Sequence, residues 1–130
     1  MARKVSPQPT PAELEILGIL WERGPSTCRE VHDVLGERNG VGYTTTLKLL
    51  QIMVTKGLAD REDGEGRSHV YRASVAEAET QQRMIKDLMD RAFGGSAAKL
   101  VMQALSANPT SQEDLEKIRA VLNRAKGGPK

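Results

Sequence analysis

Cysteine is almost missing from this chain, with Cys28 the only one in 130 residues. No internal disulfide can form, a cysteine-rich zinc framework is excluded, and nothing speaks for an oxidising compartment. Aromatic residues are nearly as scarce, Trp21, Tyr43, Tyr71 and Phe93 being the whole set. The stacking platforms that hold single-stranded nucleic acid need more rings than that. No apolar run approaches the ~18 residues that span a bilayer. The opening MARKVSPQPTP has basic residues with no apolar segment behind them. Neither membrane insertion nor export is therefore expected, and a cytoplasmic location is. Excess charge is lacking too. The net charge is +2, with ten Lys/Arg against ten Asp/Glu in Met1 to Ser74 and nine against seven in Val75 to Lys130. Bulk basicity cannot identify a nucleic-acid partner here, so local arrangement must.

The equipment of an enzyme is also absent from the pattern. The two histidines have no cysteine companions, and neither a Ser/His/Asp set nor a pair of carboxylates suited to one cleft stands out. No catalytic residue, metal ligand or cofactor is assigned. What the chain does have is the 38% apolar and 28% charged content of a soluble globular protein.

Residues 1–9 contain Arg3, Lys4, Pro7 and Pro9 and read as a flexible tail. Thr10, Pro11 and Glu13 then form a capping box with proline at the first helical position, which predicts a helix to about Arg23. Leu14, Leu17 and Trp21 give it an apolar stripe, widened by Ile16 and Leu20, and Trp21 reads as core. Gly24 and Pro25 stop it. Thr27 with Glu30 makes a second capping box, opening a helix from Cys28 to about Gly36 that buries Val31, Val34 and Leu35. Arg29, Glu30 and Asp33 of that helix face water or a phosphate. Cys28 reads as a small buried hydrophobe, although a helix N-terminus can lower a thiol pKa. Gly36 to Gly42 lacks the spacing of a dinucleotide fingerprint or a P-loop and reads as a turn.

The stretch Gly42 to Gly57 predicts one helix with two faces. Thr46, Leu49, Leu50 and Met53 fall at i, i+3, i+4 and i+7 and face a core. Thr45, Lys48, Ile52 and Thr55 line up on the other face, and the helix contains no carboxylate. Such a face suits a phosphate backbone and base edges. Gly57 sits where a C′ residue would, with Lys56 in the last turn. Beyond it, short runs around the tip Gly64 to Arg67 predict a β-hairpin with Leu58, Val70 and Tyr71 inward and Arg61, Arg67 and Arg72 as its cations. At the tip, Arg67 has easy access to a phosphate or stands as an ordinary solvated charge.

The remainder is helical. Ser74 with Glu77 is a third capping box, opening a helix to about Phe93 with a broad stripe of Met84, Ile85, Leu88, Met89, Ala92 and Phe93. Gly94 to Ser96 break the chain. Leu100, Val101, Ala104 and Leu105 mark a short helix, and Thr110 with Glu113 caps a last one bearing Leu115, Ile118 and Leu122. Three thin stripes are marginal alone. Pairing with a second copy through Ile85, Leu88, Met89, Phe93, Leu100, Leu105, Leu115, Ile118 and Leu122 would cover them. The expected class is thus mainly α with a small β-hairpin. A winged helix-turn-helix DNA-binding domain at residues 10–73 is followed by an all-α dimerisation domain at 74–125 and a frayed end at 126–130.

The motifs TPAELEILGILW, GPSTCREVH, YTTTLKLL, KGLADRE and GRSHVYR, in that order, resemble the penicillinase-repressor (BlaI/MecI-type) family of bacterial transcriptional regulators, which includes the methicillin-resistance repressors. The resemblance is strong over about Pro9 to Ala73 and looser beyond. It implies a homodimeric repressor on a palindromic operator in duplex DNA, with Tyr43, Thr44, Thr45 and Lys48 at the DNA. One position departs from the family pattern: Ile52 stands where relatives commonly have an arginine. An isoleucine there can pack on a thymine methyl instead of reaching a phosphate. Copper-responsive relatives carry a C-terminal cysteine cluster, which this chain lacks. Some relatives are cut by the protease of a membrane sensor pathway, at a site that would fall near Ser96 and Ala97, but the Asn-Phe pair cut there is not present. A protein-interaction module built on the same fold is the competing class.

Overall fold

The computed structural model describes residues 8–64, 66 and 68–126. Residues 1–7 of the tail expected at 1–9, residues 127–130 of the end expected at 126–130, and the cation Arg67 lie outside the described residues.

The first helix, α1 (Pro11–Arg23), begins where its capping box places it. The Glu13 amide donates to Thr10 Oγ1 at 3.2 Å and the Thr10 amide to Glu13 Oε1 at 3.0 Å, so two otherwise orphaned N–H groups are satisfied reciprocally. A two-residue strand, β1 (Ser26–Thr27), leads into α2 (Cys28–Asn39), which is capped in the same way by Thr27 and Glu30. This helix passes Gly36, where the sequence predicts its end, and stops at Gly40. Gly40 has φ of 71° and its amide donates to the Gly36 carbonyl, whereas Gly36 is helical and lies so close to His32 that an added Cβ would sit 3.1 Å from the ring. The second glycine takes the left-handed cap, and the first makes room for an imidazole.

After the turn comes α3 (Tyr43–Lys56), closed by Gly57 at φ of 85°. The hairpin follows as β2 (Ala59–Asp63) and β3 (His69–Ala73), antiparallel, with Arg61 opposite Tyr71. The sheet has three strands in the order β1-β3-β2, since Ser26 and Thr27 pair with Tyr71 and Val70. A two-residue strand is too short to show alternation, so this pairing carries no sequence signal.

The core of this part comes from α1, α2, α3 and the hairpin. Ile16, Leu17, Ile19 and Leu20 of α1 meet Val31 and Leu35 of α2, Leu50 and Met53 of α3, then Leu58 and Tyr71, all essentially inaccessible to solvent. Burying one such leucine or isoleucine contributes about 1.5–3 kcal/mol, before the entropy of ordering the chain is subtracted. Trp21 is half-buried against this cluster, and its Nε1 donates to the Val75 carbonyl at 2.9 Å.

Two expected caps are corrected. Ser74 does not cap the next helix: its hydroxyl donates to the Gly57 carbonyl at 2.9 Å, and α4 (Glu77–Ala92) starts later. The hydroxyl satisfies the C-terminal end of α3 instead of an N-terminus. The chain then forms α5 (Ala97–Ala107) and α6 (Gln112–Lys126). Ser111, one residue past the expected Thr110, accepts from the Asp114 amide at 3.1 Å, while the Thr110 hydroxyl turns back to the Asn108 carbonyl.

The chain divides into two compact units, the first running through Met84 and the second from Ile85. The first turns of α4 therefore belong with the winged unit, in keeping with the Trp21 and Ser74 bonds and the buried Thr80. The second unit leaves much apolar surface open. Ile85 and Leu88 are each 49% exposed and Leu122 is 58% exposed, with Leu105 and Leu115 also exposed. Met89, Phe93, Leu100 and Ile118 are half-buried. Val101, Met102 and Val121 add exposed apolar area outside the nine residues selected from the stripes.

Candidate nucleic-acid interface

The two faces of α3 separate as the heptad-like spacing requires. Thr46, Leu50 and Met53 are buried and Leu49 half-buried, whereas Thr45, Lys48, Ile52 and Thr55 are all exposed, together with Tyr43, Thr44 and Gln51. Lys48, Gln51, Ile52, Thr55 and Lys56 line a shallow hollow of about 220 Å³ on this face. Its chemistry is two ammonium groups, an amide, a hydroxyl and a branched alkyl group, with no carboxylate in the lining. Ile52 is 41% exposed, so its branched end is available to a ligand.

Lys56 is not a free cation. Its Nζ lies 2.7 Å from Glu13 Oε1, whose side chain is almost wholly buried. Burial by itself would raise the Glu13 carboxyl, but the Lys56 ammonium and the Thr10 amide outweigh it and hold the group below the ordinary carboxylate value. The last turn of α3 is thereby tied to the first turn of α1, and the exposed face is held at a fixed angle to the domain.

The other end of α3 has no side-chain cap, because Gly42 occupies the N-cap position. Contacts from α2 replace it. The Thr46 hydroxyl donates to the Gly42 carbonyl at 3.1 Å and lies 3.4 Å from His32 Nδ1. The Tyr43 ring meets His32 edge to face, with centroids 5.6 Å apart, and the Arg29 guanidinium lies 5.1 Å from its centre. The nearby Cys28 sulfur raises the Tyr43 phenol pKa. Burial raises the Cys28 thiol in turn, only partly offset by the Tyr43 hydroxyl and Arg29. Cys28 is 6% exposed and behaves as the small buried hydrophobe expected of it.

A broader hollow of about 730 Å³ lies at the turn between α2 and α3, lined by His32, Asp33, Gly36, Glu37, Gly40, Val41 and Gly42. Its two carboxylates make it a poor seat for a phosphate. In the hairpin, Arg72 is paired with Glu62, and burial raises the Tyr71 phenol pKa, partly offset by the Arg61 charge opposite it. Among the described residues no group of three or more His, Cys, Asp or Glu side chains is placed to hold a metal. No helix of the described residues is long and apolar enough to cross a membrane.

Periodicity located the exposed row on α3. The clamp on Tyr43 was invisible to it, since Cys28, Arg29 and His32 come from another helix and meet the ring only in three dimensions.

Three helices followed by a two-stranded wing, with the third helix presenting a polar face, define a winged helix-turn-helix domain. The chain belongs to the penicillinase-repressor family, whose sequence model, described as Penicillinase repressor, matches residues 9–124. It is 24% identical to the penicillinase repressor of Bacillus licheniformis over 127 residues, covering 98% of both chains. To the methicillin resistance regulatory protein MecI of Staphylococcus aureus it is 21% identical over 113 residues, 87% of this chain and 91% of that one. The solution structure of the DNA-binding domain of the repressor BlaI superposes with a TM-score of 0.52 at 27% identity, over 59% of this chain and 93% of that domain. A structure of H. salinarum RosR shares the fold at a TM-score of 0.55 and 20% identity, over 93% of this chain and 99% of that one. The family is one of DNA-binding transcriptional repressors and not of enzymes.

Proposed function

We propose that this chain represses transcription as a homodimer seated on a palindromic operator in duplex DNA. The observation that carries the reading is the exposed row Thr45, Lys48, Ile52 and Thr55 on a helix without a carboxylate, third in a winged domain. Its place in that domain is that of the helix that enters the major groove. Tyr43, Thr44 and Thr45 in the first turn and Lys48 one turn on face base edges and phosphates, and Ile52 faces a thymine methyl. The wing of β2 and β3 lies along the flanking backbone, and Arg67, which falls between these strands in the sequence, is its expected phosphate contact.

The second unit supplies the pairing. Its apolar side chains, from Ile85 and Leu88 on α4 to Leu122 on α6, are exposed in the single chain, and a second copy is the occupant that the symmetry of an operator calls for. Holding two reading helices about one turn of DNA apart, ~34 Å, converts two weak contacts into one strong one.

Footprinting on the DNA upstream of the protein's own gene tests this reading. A protected stretch with two-fold symmetry is expected. Failure to protect any duplex at low salt would favour the protein-interaction alternative.

A further inference from the structure

We propose that Arg29, held against the Tyr43 ring, is a backbone-phosphate contact that α2 contributes to the DNA-reading surface. The inference rests on the operator-binding reading and adds a residue to it.

Arg29 is the second residue of α2 and is exposed. An exposed arginine ordinarily sweeps a wide volume, and fixing it costs rotamer entropy. Here the guanidinium is already placed, 5.1 Å from the centre of the Tyr43 ring. The ring is itself placed by His32, which meets it at 81° with centroids 5.6 Å apart. A guanidinium held over a ring by its charge still has N–H groups to offer, and these match two oxygens of a phosphate.

Charge accounting points the same way. Lys56 is neutralised by Glu13, Arg72 by Glu62, Lys86 by Asp90 and Arg91 by Asp87. Arg29 has no carboxylate within ion-pair distance among the described residues, although Glu30 and Asp33 share its helix. Like Lys48, it is therefore open to an outside anion. Its position suits a DNA strand, because the first helix of a helix-turn-helix pair crosses the phosphate backbone while the second lies in the groove. Arg29 is in the first turn of that crossing helix, against the first turn of α3.

The test uses the full chain and a duplex carrying the protected upstream sequence, with affinity measured across a range of salt concentrations. Arg29→Ala is expected to lower the slope of log affinity against log salt by about 0.9, the value for one phosphate contact. The loss should be similar on the operator and on a scrambled duplex. Arg29→Lys should keep most of the slope. Tyr43→Leu, which removes the ring, should weaken binding, and combining it with Arg29→Ala should cost less than the two losses added. Thermal melts control for folding, since a purely structural role would not move the salt slope. An Arg29→Ala protein with the wild-type slope, alongside a Lys48→Ala protein with a reduced one, overturns the Arg29 assignment and leaves operator binding intact. A wild-type chain that binds no duplex refutes the operator reading and this inference together.

Discussion

Lys56 Nζ and Glu13 Oε1 lie 2.7 Å apart, and through this contact the end of α3 is fastened to the start of α1. The same carboxylate accepts from the Thr10 amide at 3.0 Å, so one oxygen serves both a helix cap and an interhelical ion pair. Lys56→Met should destabilise the fold by about 3 kcal/mol, the low end for removing one partner of a buried pair. The low end applies because a quarter of the lysine side chain still meets solvent. Urea denaturation followed by Trp21 emission measures it.

The same pair fixes a pH dependence. The folded Glu13 carboxyl ionises more readily than its ordinary value of 4.5. A lowered folded pKa contributes stability that is complete above that value and is lost as pH falls through the lower folded one. The stability difference between wild type and Glu13→Gln should accordingly be constant at neutral pH and shrink below about pH 4.5. A difference that grew with acidity would contradict this assignment.

Lys48→Ala and Thr45→Ala should each weaken operator binding by about 1–3 kcal/mol, the range for side chains that touch bases or phosphates. Both side chains are exposed, so neither change should alter the melting temperature or self-association. Gel shifts beside sedimentation check the two halves of the statement. Unchanged affinity in both variants would remove α3 from the interface.

Ile52 has a chemical test of its own. Replacing operator thymines by uracil deletes only the C5 methyl. One such position should weaken the wild-type protein and leave Ile52→Ala indifferent. Ile52→Arg should bind all duplexes more tightly and steepen the salt slope by about 0.9, as one added phosphate contact would. Indifference of the wild type at every thymine would leave Ile52 without a role in reading.

Pairing through the second unit predicts that Leu88→Asp and Leu122→Asp each shift the protein toward monomer in sedimentation. Both residues are about half exposed in the single chain, so the charge costs little until a partner approaches. The first unit has its own core and should unfold unchanged by Trp21 emission. Operator affinity should fall steeply while binding to an isolated half-site persists.

Sequence alone determined the elements with strong local chemistry. The Thr10 and Thr27 capping boxes and the glycine at 57 fixed helix ends within a residue, because a cap is a bond between groups three or four residues apart. The two faces of α3 followed from 3.6-residue periodicity. Reading failed where a second partner competed for a group or a neighbouring side chain took its space. Ser74 has a local amide within reach and bonds Gly57 instead, and Gly36 yields the helix stop to Gly40 because His32 needs its space. Three features needed the tertiary structure: the Lys56–Glu13 tie, the pairing of Ser26 and Thr27 with β3, and the cradle of Cys28, Arg29 and His32 around Tyr43. Each joins residues far apart in the chain through a contact that has no period, and only the packing of the core brings them together.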